Sequence, residues 1–206
     1  MAKEWRRGSE EERREGILRA AYQVAARDRL AGVTARAVAA EAGVSSGLIF
    51  FYFESVDRLL TELLDWLLAR TIVASDLDDL ILAPGDPAAR MMSVIRRDIE
   101  WLPRQRERVE LFFDYWVLGT RNDAIRPRIR RALDRYRAGY LSLATSMMES
   151  DPERYRGMTP EGLATVAASF VEGCALQVVM APADFDVERS MSTLTALVRS
   201  PAAALA

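Results

Sequence analysis

The chain of 206 residues contains no histidine and a single cysteine, Cys174. Without histidine, the Ser-His-Asp and Cys-His nucleophile systems and every histidine-ligated metal site are excluded. A lone thiol can form no internal disulfide and fits a reducing cytoplasm. The composition is therefore evidence against a hydrolase. We expect a protein that is not an enzyme, with no catalytic residue, no metal site and no cofactor.

Long apolar runs are also missing from the sequence. No uninterrupted run reaches the ~20 residues that span a bilayer, and the N-terminus lacks the apolar core of a signal peptide. We therefore expect a soluble, cytoplasmic protein with no membrane partner. The formal net charge of −2 excludes a polycationic coat for nucleic acid. Any DNA contact must come from local placement of side chains, although the first 60 residues carry a slight basic excess.

Apolar residues recur at helical spacing along the chain and predict an all-α fold of about nine helices. Ser9 and Glu12 form a capping box before a first helix that we expect to end near Arg29. A fourth helix should run from Val56 to about Asp78. Further helix starts are predicted from N-capping side chains at Ser55, Asp86, Asp123, Thr159 and Asp186.

Residues 34–60 predict two short helices around a tight turn. Gly43 breaks the apolar pattern where a helix end needs positive φ, and Ser45 is the natural N-cap of the next helix. We expect Ile49, Phe50 and Phe53 to face inward. The residues expected to face outward are Ser45, Ser46, Gly47, Leu48, Phe51 and Tyr52. This pattern predicts a helix-turn-helix, although an ordinary helical hairpin would share it.

The same stretch resembles the DNA-binding signature of the TetR family of one-component bacterial repressors. The resemblance lies in Thr34, the Ala-Gly-Val-Ser turn, the following glycine, the aromatic run ending in Phe53, and the Leu59-Leu60 pair. It implies a DNA-binding helix-turn-helix domain at residues 1–55, a three-helix head. It also implies a helical ligand-binding and dimerisation body at residues 56–206. The family usually has Tyr at the position of Phe50 and Lys at that of Val56, so two phosphate contacts are lost here.

The resemblance implies a transcriptional repressor that binds a palindromic operator as a homodimer and is released by a small, mostly hydrophobic effector. Thr34 would hold a phosphate, Arg36 would contact bases or backbone, and Tyr52 would replace the usual His phosphate contact. Small and apolar side chains would read shape and thymine methyl groups. The DNA-binding residues are predicted to be Thr34, Arg36, Ser45, Ser46, Gly47, Leu48, Phe51 and Tyr52.

Aromatic and sulfur-containing residues of the body are the candidates for an effector pocket, and they would serve equally well in a dry core. The pocket candidates are Trp66, Met92, Trp101, Phe112, Tyr115, Trp116, Tyr140, Met147, Phe170, Cys174 and Gln177. Asp114 lies in an apolar run and either pairs with an arginine or meets a ligand. The resemblance implies that the last two helices form half of an intersubunit bundle, although the same apolar residues would also serve in an intrachain core. The interface residues are predicted to be Leu163, Ala167, Val171, Val178, Met191, Leu194 and Val198.

Two other interpretations of the sequence stay open. A TetR-like ligand-binding or interaction protein with weak DNA binding would be consistent with Phe50 and Val56. A small helical enzyme would have to use Asp, Glu, Tyr or Arg, and no spacing in the sequence singles out a catalytic pair of these residues.

Overall fold

A computed structural model of the chain describes residues 9–71 and 84–199, and every regular element in these two ranges is helical. This confirms the predicted all-α class. A short 3-10 turn at Leu102–Gln105 contains Pro103, which cannot continue the preceding helix. In chain order the helices are α1 (Glu10–Gly32), α2 (Ala35–Ala42), α3 (Ser46–Phe53), α4 (Val56–Thr71), α5 (Pro87–Trp101), α6 (Arg106–Gly119), α7 (Arg126–Ser150), α8 (Pro160–Met180) and α9 (Val187–Arg199).

The chain divides into two compact units. The first unit comprises Met1–Thr71 and Glu110–Arg131, and the second comprises Ile72–Val109 and Ala132–Ala206. The predicted boundary between residues 55 and 56 is one of function and stays a prediction. The expected end of the fourth helix near Asp78 lies outside the described residues.

Most of the predicted helix starts are confirmed by hydrogen bonds. The Ser9 hydroxyl accepts from the Glu12 amide while the Glu12 carboxylate accepts from the Ser9 amide, which completes the capping box. Side chains also cap the helices that follow Thr34, Ser45, Ser55, Asp86, Thr159 and Asp186.

Asp123 is wrong as the cap of α7. The side chain of Asn122 accepts from the amides of Ala124 and Ile125, at 2.9 and 3.1 Å. The carboxylate of Asp123 is exposed and pairs with Arg126 instead. An asparagine placed one residue earlier reaches two free amides of the first turn, which Asp123 does not.

The first unit is built around α1. Its buried face packs on α2 and α4, and α3 packs on α2 and α4. Ile17, Ala21 and Val24 of α1 are fully buried, as are the leucines of α4 that face them. Each such leucine or isoleucine removes enough apolar surface from water to stabilise the fold by roughly 1.5–3 kcal/mol. Packing of this core, rather than helix propensity, fixes where α2 and α3 stand.

Arg29 kinks α1 near its end. Its φ of 64° is unusual for a residue with a side chain, and the helix resumes to Gly32 beyond it. The guanidinium donates to Glu110 at 3.0 Å and to Asp114 at 2.8 Å. The expectation that Asp114 pairs with an arginine is therefore confirmed. The kink and the double ion pair tie the end of α1 to α6 within the first unit.

Helix α6 is less buried than its composition indicated. Its apolar run predicted a central helix enclosed on all sides, yet Trp116 and Val117 are exposed and only Val109, Leu111 and Tyr115 are buried among its apolar side chains. An apolar run of this length cannot all face one core, since successive residues point in directions about 100° apart.

In the second unit, α5 packs against α8 and α9. The apolar side of α5 carries Met91, Val94, Ile95 and Ile99, all buried as the sequence predicted. Arg96, on the exposed side, reaches Glu188 of α9 in an ion pair. Arg154 donates to the carbonyl of Val198 at 2.7 Å and satisfies one of the last carbonyls of α9.

The turn after α2 offers a test of the fold. Gly43 has φ of 69°, and a Cβ there would meet no heavy atom within 4 Å. Gly43→Ala should therefore lower the free energy of unfolding by about 1 kcal/mol through backbone strain alone. The matched control is Gly139→Ala inside α7, where a Cβ is equally free of contacts but φ is helical, and we expect a gain of about 0.5–1 kcal/mol.

Thermal unfolding followed by circular dichroism measures both changes. Equal shifts of the melting temperature in the two variants would contradict the left-handed conformation at Gly43.

Candidate functional site

The turn between α2 and α3 is closed by backbone hydrogen bonds. The Gly43 amide donates to Ala40, and the Val44 amide donates to the Ala39 carbonyl at 2.9 Å. This C-cap needs the positive φ that glycine adopts without strain. Ser45 then caps α3 by accepting from the Leu48 amide at 3.3 Å. The predicted helix-turn-helix is thus present, with the two helices joined by three residues.

The eight residues of α3 bury one face only. Ile49 and Phe53 are 1% exposed and Tyr52 is 7% exposed. The N-terminal half of the helix carries small side chains, with Ser45 and Gly47 exposed and Ser46 and Leu48 half-buried. The start of α3 is therefore available for close approach by another molecule.

The predicted outward position of Tyr52 is wrong. The ring is buried, its hydroxyl contacts Arg13 at 3.5 Å, and Arg14 donates to its carbonyl at 2.6 Å. A stripe at positions i, i+3 and i+4 faces one side of a helix, and from Ile49 that stripe contains Tyr52 and Phe53. The phenol occupies the core position that the sequence interpretation gave to Phe50.

Phe50 is accordingly exposed, at 48%, and Phe51 is exposed at 74%. The expectation that Phe51 faces outward is confirmed, whereas the inward placement of Phe50 is wrong. The edge of the Phe51 ring meets Tyr52, with ring centroids 5.2 Å apart. Two exposed phenyl side chains in sequence give this short helix an apolar surface, which we name the Phe50–Phe51 surface.

The start of α2 carries exposed polar groups. Thr34 is exposed, and its hydroxyl oxygen accepts from the Ala37 amide at 3.1 Å, which leaves the hydroxyl proton free to be donated. Arg36 is exposed and is the basic residue that α2 contributes, while α3 contributes none. Neighbouring cations are partly neutralised, because Arg14 and Arg58 both pair with Glu62.

Four of the pocket candidates lie in the first unit. Trp66 donates its indole proton to Glu15 at 2.8 Å and lies under the guanidinium of Arg70. Tyr115 is fully buried and donates to the carbonyl of Leu60 at 2.8 Å. Trp66 and Tyr115 therefore have structural partners in the first unit. Phe112 is half-buried and Trp116 is exposed.

Seven pocket candidates lie in the second unit. The side chains of Tyr140, Met147 and Cys174 are buried, and burial raises the pKa of the Cys174 thiol. Gln177 is exposed, and the half-buried candidates are Met92, Trp101 and Phe170. Their effector-binding role stays a prediction.

A polar cluster in the second unit was missed by the sequence interpretation. Asp98 of α5 accepts hydrogen bonds from the hydroxyls of Tyr136 and Tyr140, at 2.7 and 2.6 Å. Desolvation raises the pKa of the Asp98 carboxyl, and the two phenol bonds oppose this shift. The signal in the sequence was that Asp98 continues the apolar stripe that begins at Met91.

The predicted interface residues of α8 and α9 are mostly inward. Ala167, Val171, Val178 and Met191 are buried within the second unit, while Leu163, Leu194 and Val198 are half-buried. The buried side chains contact their own subunit and are poor candidates for contact with another. Outward positions of α8 instead form a separate stripe, three or four residues apart, of Val166, Ser169, Gly173, Leu176 and Met180.

Comparison with known proteins identifies the family. Residues 17–63 match the family described as bacterial regulatory proteins, tetR family, and residues 87–202 match the BetI-type transcriptional repressor, C-terminal family. The second match covers more than half of the chain. The chain belongs to the TetR family of bacterial transcriptional regulators.

A curated relative and two solved structures are similar to the chain. A helix-turn-helix-type transcriptional regulator in the dhlA 5′ region of Xanthobacter autotrophicus is 27% identical over 111 residues, which are 54% of this chain and 55% of the relative. The chain thus spans about half the length of that relative.

The crystal structure of a transcriptional regulator from Saccharomonospora viridis in complex with choline has a TM-score of 0.76 and 22% identity, covering 93% of this chain and 97% of the other. The multidrug binding protein EbrR complexed with proflavin has a TM-score of 0.61 and 26% identity, covering 89% and 98%.

The faces of α3 lead to opposite expectations for two adjacent aromatic residues. Phe51→Ala should weaken binding to a DNA fragment selected by the wild-type protein by about fivefold or more, because an exposed apolar contact is lost. Tyr52→Phe should change affinity by less than about threefold, since the hydroxyl makes one long hydrogen bond inside the protein. Fluorescence anisotropy at fixed salt measures both. If Tyr52→Phe lost much of its DNA affinity while its melting temperature stayed unchanged, the phenol would have to be a phosphate contact.

Proposed function

We propose that the chain is a ligand-responsive transcriptional repressor of the cytoplasm that binds a palindromic operator as a homodimer. The observation that carries the proposal is the outward N-terminal half of α3, with small side chains beside the Phe50–Phe51 surface and with Arg36 on the adjoining helix. A helix that is exposed at its start and backed by a core can enter a major groove.

The DNA contacts follow from these exposures. Thr34 and the start of α2 would hold a phosphate through a hydroxyl proton and free amides. Arg36 would donate to a base edge or a phosphate, and it is the basic residue of the two helices best placed to do so. Ser45, Ser46, Gly47 and Leu48 would permit close approach, while Phe51 would contact thymine methyl groups. Because only one of these residues is a cation, we expect their recognition of DNA to depend largely on groove shape.

Dimerisation is proposed through the outward stripe of α8. Val166, Leu176 and Met180 are exposed apolar residues, and a Cβ at Gly173 would meet nothing within 4 Å. Small and apolar residues at alternating spacings of three and four suit knobs-into-holes packing against a second copy. By length and composition α8 is also apolar enough to cross a membrane. A helix that packs on its own subunit on one side and on a partner subunit on the other would be equally apolar.

The effector is proposed to be a small, mostly hydrophobic molecule bound by the second unit. Half-buried Trp101, Met92 and Phe170 supply adaptable apolar contacts there. Two structural relatives were crystallised with small molecules, one with choline and one with proflavin. Release from DNA would follow if the effector binds better to the dimer whose two heads do not match the half-site spacing.

A second candidate function is that of a TetR-like ligand-binding or interaction protein with weak DNA affinity. The observation that favours it is the pair of exposed apolar side chains, Phe50 and Phe51, on a helix with no basic residue. Weak dependence of binding on salt would support this alternative, because few phosphates would then be neutralised.

Arg36 provides the test of operator recognition. Arg36→Ala should lower affinity for a fragment from genomic DNA, including the region upstream of the chain's own gene, by about tenfold and reduce the salt slope by about one. Arg189→Ala in α9 removes the same charge from the second unit and should leave affinity unchanged. Gel shifts at several salt concentrations supply the data. Equal losses in the two variants, or none in Arg36→Ala, would refute the role of Arg36.

The dimer proposal predicts that Leu176→Glu weakens self-association by about a hundredfold, because a carboxylate would be buried without a partner. Val117→Glu is the matched control, since Val117 is exposed at 67% but lies on α6 in the first unit. Light scattering with size-exclusion chromatography across a dilution series reports the mass. A wild-type chain that stays monomeric, or a variant that dimerises like wild type, would count against this interface.

A further inference from the structure

The Asp98 cluster of the second unit has the geometry of a charged binding site. The two phenol protons of Tyr136 and Tyr140 are donated to the same carboxylate oxygen, Oδ2. The rings of these tyrosines meet edge to face, with centroids 5.4 Å apart. Asp98 and Tyr136 are half-buried, and Tyr140 is buried. The other carboxylate oxygen of Asp98, Oδ1, accepts no hydrogen bond from residues 84–199.

Asp98 makes no ion pair within the described ranges, although its carboxyl is desolvated. Glu188 pairs with Arg96 across two helices, and Asp134 pairs with Arg137 on α7 at 3.2 Å. A carboxylate withdrawn from water is costly unless a cation compensates it, and two neutral phenols do so only in part. The charge of the neighbouring Arg97 lowers the pKa of the Asp98 carboxyl and offsets part of the desolvation.

We propose that Asp98, Tyr136 and Tyr140 form a recognition site for an organic cation, and that this cation is the effector. This inference rests on the proposed function and adds to it the charge of the ligand. The carboxylate would supply the opposite charge, and the phenol rings would supply π faces that attract a cation. Trp101 lies one helical turn after Asp98 on the half-buried side of α5 and would add a third aromatic group.

The fixed hydrogen bonds favour a cation over other ligands. An anion would be repelled by the carboxylate, and a neutral alcohol would gain one hydrogen bond to Oδ1 in exchange for one to water. A quaternary or aromatic ammonium group has weakly hydrated charge, so moving it beside a desolvated carboxylate and aromatic rings loses little and gains both interactions. The ligand should therefore combine one positive charge with an apolar body.

Charge can be tested separately from shape with the full-length chain. The probes are choline, its uncharged carbon isostere 3,3-dimethylbutan-1-ol, benzyltrimethylammonium and proflavin, with binding measured by calorimetry or by tryptophan fluorescence. We expect at least one cation to bind with a Kd below about 1 mM, and choline or the benzyl compound to bind at least about tenfold better than the uncharged alcohol.

Asp98→Asn keeps the shape and can still accept the phenol bonds, so it should fold and yet bind that cation at least about tenfold more weakly. Asp134→Asn, an exposed acid on α7 in the same unit, is the control and should bind as wild type does. The proposal is overturned if no cation binds, if the alcohol matches the cations, or if both variants lose affinity equally. The comparison of the alcohol with the cations uses only wild-type protein. It therefore tests the preference for a cation even if Asp98→Asn is unstable.

A parallel gel shift separates the two proposals. If cation binding depends on Asp98 but does not release DNA, the cation site is supported and its role as the effector site is refuted. Release of DNA by uncharged apolar molecules alone would keep the proposed function and refute the cation site.

Discussion

The shortness of α3 is the constraint on which the DNA-binding end of the molecule depends. Two turns of helix offer only one stripe to a core, and the stripe that contacts α2 and α4 contains Ile49, Tyr52 and Phe53. Everything else on the helix must face away from that core. The same packing that fixes α3 therefore determines that Phe50 and Phe51 are exposed and that Tyr52 is buried.

The features predicted correctly from the sequence are those that depend on neighbouring residues. A serine or threonine before a helix reaches an amide two or three residues on whatever the rest of the fold does, and this is why the predicted caps at Ser9, Ser45 and Thr159 are right. The predicted outward direction of the Tyr52 side chain is wrong for the opposite reason. Its role came from alignment with a family position, while its direction depends on where α2 and α4 lie, and no local pattern specifies that.

The two acids embedded in apolar sequence show what a pattern can and cannot reveal. Asp114 finds its counterion in Arg29, 85 residues away in the chain, at the kink of α1. Among the described residues, the side-chain partners of Asp98 are two phenols of α7, a helix that begins almost thirty residues later. Both positions stand out in the sequence as carboxylates on apolar faces, but the sequence cannot say which will have a counterion. That difference comes from tertiary packing, and it separates a structural ion pair from a candidate binding site.

Thermodynamic linkage connects the two ends of the proposed mechanism. A cation that relieves the desolvated charge of Asp98 can release DNA only to the extent that it binds the non-operator state better than the operator state. Reciprocity then requires operator DNA to weaken cation binding by the same factor. A coupling of about 1–3 kcal/mol, which is typical of regulatory proteins, would shift either affinity by about 5–150-fold. Asp98 carries the only charge within the Asp98–Tyr136–Tyr140 cluster. The electrostatic part of the coupling between cation and DNA would therefore depend on its carboxylate.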